Sequence, residues 1–306
     1  MWFIMEKIEK TRKTFKLIQY IGMGVIIAVG MFLIYWFGIR NSKEFMLSNT
    51  ITYIMLTIIA LFFFVSFVSI PMQAKLLKLI IIESLEGLVT ELTFNKKKGY
   101  SRESFEKLHI CASSFSNYGC TDYYSFNFNG MTIESTTARA YDEIKVQQRK
   151  KNGLPSKKVV RQSINHFHGR IYLIPMENEI KLNIYGKKNA SASRKNELAN
   201  YEYNQELPIK VKKQQENFEV FYQEGNKPNP AYMSNVLDKL MTLRLQAKGP
   251  VSLFVRKSTM VLLIDNGKFY KEEELKNPID ERIIRDYRKD VSMVLNFISA
   301  LKKDNQ

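Results

Sequence analysis

Between Lys16 and Arg40 the chain carries no charge from Leu17 to Ile39, a run dominated by Ile, Val, Met, Phe and Gly. A helix needs about 20 apolar residues to cross the hydrocarbon core of a bilayer. The run therefore predicts a first span at 17–39. A second uncharged stretch, Phe45 to Ala74, contains Ile51 to Ile70 and the cluster Leu61, Phe62, Phe63, Phe64 and Val65, and predicts a second span at 50–70 after a short outer loop at 40–49. Lys7, Lys10, Arg12, Lys13 and Lys16 precede the first run as they would in a signal peptide. The run is too long for that and lacks a small-residue cleavage site, which makes it an anchor. Basic residues stay on the cytoplasmic side. Residues 1–16 form a basic N-terminus, and Lys75, Lys78, Lys96, Lys97 and Lys98 follow the second span, so both termini are expected in the cytoplasm of a multi-pass plasma-membrane protein.

Past Pro71 the spacing becomes helical. Leu77, Ile81, Leu85, Leu88 and Leu92 recur on one side, and Ser101 followed by Glu103 starts a short helix. Residues 71–110 read as a helical connector. From Thr121 the period drops to two: Tyr124, Phe126 and Phe128 lead into Asn129-Gly130, and Met131, Ile133 and Ser135 return, a β-hairpin. Further strands are predicted at Val159–Phe167, Arg170–Pro175, Glu179–Tyr185 and Asn217–Tyr222, with a polar connection and possible sub-boundary at 186–206. Asn229-Pro230 and Asn277-Pro278 each place an N-cap before a proline and open a helix. Between those helices, Val251–Val255 and Met260–Ile264 form a second hairpin. The fold class is thus a membrane-anchored α+β protein, with an N-terminal two-helix transmembrane hairpin followed by a mixed helix and antiparallel-sheet cytoplasmic domain at 111–306.

Three stretches carry a resemblance: Phe167-His168-Gly169-Arg170-Ile171-Tyr172-Leu173-Ile174; Glu216 to Tyr222 followed by Asn229-Pro230-Ala231-Tyr232-Met233; and the Val251 to Ile264 hairpin. With the paired spans, they resemble a bacterial family of two-span membrane proteins known as domain of unknown function 3137. The resemblance implies a membrane protein with a cytoplasmic α+β region and supplies no activity and no catalytic residue.

Composition narrows the chemistry. The 306 residues are 45% hydrophobic and 25% charged, with 46 Lys and Arg against 30 Asp and Glu, a net charge of +16. This excludes a disordered or collagen-like chain. Two Cys and three His exclude a disulfide framework or a zinc ribbon, and Cys111 and Cys120 are expected as free thiols. His166 and His168 have strand-face spacing but no third metal ligand nearby, and His109 with the cysteines makes no catalytic pair. No phosphate-binding glycine loop, GxSxG or HExxH occurs, and no cofactor is implied.

The conspicuous feature is basic. Arg139, Lys145, Arg149, Lys150, Lys151, Lys157, Lys158 and Arg161 face only Asp142 and Glu143. Arg149, Lys150, Lys151, Lys157, Lys158 and Arg161 are the candidate lipid or anion contacts, against the plainer reading of a solvated hairpin tip. Aromatics do not interleave with them, so nucleic acid is not the expected partner. The leading expectation is a non-enzymatic, membrane-anchored interaction or assembly module that binds the bilayer through two spans and a protein partner or a second copy through its domain. The alternative is a membrane-bound sensor that takes a small anionic ligand or anionic lipid on its basic surface. An enzyme with a dispersed active site is the third reading.

Overall fold

A computed structural model describes residues 2–40, 78–95, 99–111, 114–149, 155–176, 181–188, 198, 201–256, 258–267 and 281–303. The chain divides into two compact units, Met1–Leu85 with Tyr270–Tyr287, and Glu86–Phe269 with Arg288–Gln306.

The first unit contains α1 (Trp2–Arg40), one continuous helix of 39 residues. The transmembrane hairpin expected from the sequence is corrected here: among the described residues no helix is long and apolar enough to cross a membrane. Leu17–Ile39 does not stand as a separate element, because it continues a helix whose opening turns carry Lys7, Lys10, Arg12, Lys13 and Lys16. In that charged opening Lys10 and Lys13 are exposed. Ile8 is fully buried, and Arg12 is buried with its guanidinium bonded to Glu9 three residues before it. Leu17, Tyr20, Ile21, Met23, Ile27 and Met31 remain exposed along α1. The expected second span, 50–70, and the loop at 40–49 lie outside the described residues. The membrane-anchored fold class and the multi-pass plasma-membrane localisation with both termini cytoplasmic are not supported.

The second unit is built on a mostly antiparallel sheet with a few helices. Its strands are β1 (Thr90–Asn95), β2 (Asn117–Phe128), β3 (Met131–Arg149), β4 (Pro155–Pro175), β5 (Leu182–Gly186), β6 (Gln205–Glu206), β7 (Phe218–Tyr222), β8 (Val251–Arg256) and β9 (Thr259–Ile264). They lie in the order β1-β2-β3-β4-β9-β8-β5-β7-β6, and the pairings among the described residues are antiparallel. The helices are α2 (Arg102–Glu106), α3 (Lys212–Asn217), α4 (Pro230–Ala247) and α5 (Glu281–Lys303), the last of which begins in the first unit.

Local chemistry accounts for the elements. Asn129 and Gly130 both adopt positive φ, the geometry a two-residue hairpin needs, so β2 turns directly into β3. Asn229 caps α4 by accepting from Ala231 N at 2.9 Å, with Pro230 in the first turn, and Lys248 closes the helix in the left-handed conformation. Ser101 caps α2 through Ser104 N. The apolar period through Leu92 gives helix only over 78–85. Gly87 then turns at positive φ, and the β-branched Thr90 and Thr93 continue as β1. The strands predicted at Val159–Phe167 and Arg170–Pro175 are one strand, β4.

In β5, β7, β8 and β9 four or five residues of each strand are buried in succession, so both faces of the sheet are covered there. One core gathers Ala138, Ala140, Phe167, Ile171, Phe221, Phe254 and Leu263 from the strands against Phe105 and Leu108 of the α2 region. Phe105 packs edge-on to Phe115 and 5.3 Å from Phe167. α4 packs against β8, and Lys239 Nζ on α4 donates to the Ala300 carbonyl on α5 at 2.8 Å.

Candidate functional site

The β3–β4 hairpin outruns the sheet. β2 accompanies β3 only to Tyr141, and β9 accompanies β4 only from Arg170 onward. Beyond Tyr141 and Asn165 the two strands pair with each other alone among the described residues, from Asp142↔Ile164 to Arg149↔Pro155. At the departure point Ala140 opposes Phe167 while Tyr141 opposes Asn165, which leaves His166 as the extra residue of a β-bulge. Such a bulge bends the strand and increases its twist.

Side chains lock this root. His166 Nε2 donates to Asp142 Oδ2 at 2.7 Å, and Asp142 Oδ1 accepts from both the backbone N and the Oγ of Ser116 at 2.6 Å. Lys188 Nζ donates to the His166 carbonyl at 2.8 Å and pairs with Asp265 at 2.7 Å. The Ser116 hydroxyl, then His166 and the Ser116 backbone N–H, hold the Asp142 carboxyl down to about 2. These are the residue types of a hydrolytic triad in the wrong order. A triad needs histidine between the nucleophile and the acid, whereas here the carboxylate sits in the middle and the serine donates its proton to it. The arrangement anchors the ribbon and activates no nucleophile. A cavity of about 210 Å³ beside it includes His166, Lys187, Lys188, Glu219 and Asp265. Its charges are largely matched, Lys188 with Asp265 and Lys187 with Glu219 at 3.8 Å.

Four of the six predicted contact residues belong to the strands of the ribbon. Arg149, Lys157 and Lys158 stand in its two strands, with side chains outside the described set, and Lys150 and Lys151 lie outside the described residues. Arg161 is 77% exposed, opposite Lys145 in the register and 3.9 Å from Glu143. The sequence reading missed the other face of the ribbon, where Ile144, Val146 and Ile164 stand 38%, 37% and 46% exposed. The signal was present as the alternation Ile144-Lys145-Val146-Gln147, eclipsed by the density of cations around it.

Cys111 and Cys120 are free thiols. Cys120 Sγ lies 3.0 Å from both the Tyr100 carbonyl and the Tyr118 hydroxyl, and burial pushes its thiol up, the opposite of a nucleophilic cysteine. His109 packs against Tyr201 with ring centres 3.7 Å apart and planes tilted by 40°. No group of three His, Cys, Asp or Glu among the described residues is placed to hold a metal ion. No family model matches the chain, and no curated protein and no solved structure is found similar to it.

Proposed function

We propose that this chain is a non-enzymatic interaction or assembly module whose docking element is the β3–β4 ribbon, and that the ribbon takes an acidic protein surface. The carrying observation is that the ribbon leaves the sheet with both faces open: Ile144, Val146 and Ile164 on one, Lys145 and Arg161 on the other. Two strands without further partners are marginal in water. Covering the three aliphatic side chains releases about 25 cal/mol per Å² of apolar surface, while the cations select the partner by charge.

The same charge argues against a second copy as occupant. Lys145, Arg149, Lys150, Lys151, Lys157, Lys158 and Arg161 outnumber Asp142 and Glu143, so two such ribbons repel on approach. Photo-crosslinking in the native cell tests the reading. A crosslinker at Ile164 is expected to yield a discrete protein adduct that is lost when Lys145 and Arg161 are both changed to Glu. A crosslinker at the exposed Leu245 on α4 serves as the control. No adduct from Ile164, an equal adduct from Leu245, or an adduct with the same chain would refute it.

A further inference from the structure

The cavity of about 210 Å³ at the root of the ribbon lies within the second unit, against one face of the sheet. Tyr185 opposes Glu219 across β5 and β7, and Ser252 opposes Leu263 across β8 and β9. Residues two apart share a face. Lys187, just past β5, therefore falls in line with Tyr185, and Asp265, just past β9, falls in line with Leu263. All of these residues line the cavity. Gly186 N donates to Ser252 Oγ at 2.9 Å and ties the end of β5 to β8 there.

The charged pairs around this cavity differ in how tightly they are closed. His166 is bonded to Asp142, and Lys188 to Asp265, each at 2.7 Å. Lys187 and Glu219 stay apart: Nζ stands 3.8 Å from Oε1, beyond hydrogen-bond distance, and the ammonium makes no hydrogen bond among the described residues. The two side chains are nonetheless only 11% and 5% exposed. Charges so far withdrawn from water need partners in direct contact, and an ammonium has three N–H donors to place. Ser252 is also buried. Its hydroxyl accepts from Gly186 N and donates its own proton to no group among the described residues.

This inventory selects the ligand. The loosely paired cation and anion balance, so a net anion is repelled by Glu219 and a net cation by Lys187. A zwitterion whose two charges lie on neighbouring atoms satisfies both. Ile110, Phe167 and Leu263 supply apolar wall, while Lys188, Asp265 and His166 are held in their own closed pairs. A dry cavity of about 150 Å³ takes benzene, so this one has room for roughly eight heavy atoms. We infer that the cavity is a binding site for a small free aliphatic α-amino acid of the size of valine, its carboxylate received by Lys187 Nζ and the Ser252 hydroxyl, its ammonium by Glu219 and its side chain by the apolar wall. This goes beyond the ribbon reading and does not depend on it.

The test is calorimetric titration of the folded full chain with four probes: L-valine; 3-methylbutanoate, which lacks the ammonium; 2-methylpropylamine, which lacks the carboxylate; and L-tryptophan, which exceeds the volume. Valine is expected to bind saturably and the other three at least about tenfold more weakly, the factor that one hydrogen bond to a charged group carries. Glu219→Gln is expected to bring 3-methylbutanoate level with valine, and Lys187→Met to bring 2-methylpropylamine level with it, a crossed pattern that general loosening of the fold does not produce. The ribbon variant Arg161→Glu is expected to leave valine binding unchanged. No saturable binding of valine, equal binding of either single-charge probe by the wild-type chain, an unchanged ranking in both cavity variants, or loss of valine binding in Arg161→Glu would overturn the assignment. The first two are read on the wild-type chain and stand even if a variant fails to fold.

Discussion

Gly169 offers the sharpest test of the sheet. A Cβ built on it would lie 1.8 Å from the Ile264 carbonyl oxygen and 2.8 Å from the carbonyl carbon, both backbone atoms that no rotamer change can move. In a close-packed interior, reaching a contact of 3.4 Å requires β4 and the end of β9 to separate by about 1.6 Å. Two hydrogen bonds at this place are set by that spacing, Gly267 N to the His168 carbonyl at 2.9 Å and His168 N to Asp265 Oδ1 at 3.0 Å. Each is worth about 0.5–1.5 kcal/mol net, and overpacking strain adds about 1–3 kcal/mol. Gly169→Ala should therefore destabilise by about 3 kcal/mol, and for a unit of this size lower Tm by roughly 6–12 °C. Gly119→Ala, on β2 with nothing within 4 Å of the built Cβ, is the control and should change stability little. Urea unfolding followed by far-UV circular dichroism, with both variants measured beside the wild type, gives the comparison. A Gly169→Ala protein as stable as the Gly119→Ala protein would refute the close approach of β4 and β9.

The remaining expectations concern a cap, an acid limb and a thiol. Asn229→Ala removes the acceptor for Ala231 N at the start of α4 and should cost about 1 kcal/mol in the same denaturation assay, with Asn229→Ser restoring most of it. Asp142 is held below the ordinary carboxylate range, so the unfolded chain binds the extra proton. Its contribution to stability is complete above about pH 4 and is lost as the pH falls toward 2. Tm measured between pH 2 and 6 should show a shallower acid limb in Asp142→Asn than in the wild type; identical limbs would remove Asp142 from the root of the ribbon. Cys120, half-buried and with its thiol raised, should react with an aromatic disulfide at pH 8 at least about tenfold more slowly than in the unfolded chain, and equal rates would contradict the placement of its sulfur.

Much of the second unit was legible because its turns and caps are local. Asn129-Gly130, Asn229-Pro230 and the Val251 to Ile264 hairpin each specify their geometry within a few residues, and the structure forms all three. The opening of the chain misled for the converse reason. An apolar run says how much hydrophobic surface exists, and it does not say where a helix begins. α1 starts at Trp2 and draws the charged residues before Leu17 into one rod. The β3–β4 ribbon was half visible: its cations stood out, while its length and bare faces depend on where β2 and β9 stop pairing. Lys187, Glu219 and Ser252 come from the residue after β5, from β7 and from β8. No local pattern joins them, and only the sheet order brings them to one cavity.

The place of β9 in the sheet governs how this unit can be made. β9 sits between β4 and β8, and β8 carries β5 on its other side, so among the described residues the two halves of the sheet join through the β8–β9 hairpin, which is synthesised after β1 to β7. The contact between His168 and Asp265 spans 97 positions, a separation that makes closure slow. Until then β4 and β5 expose raw strand edges to any neighbour. A chain halted in translation before Val251 would therefore lack the seam and remain a template for aggregation rather than a smaller working domain.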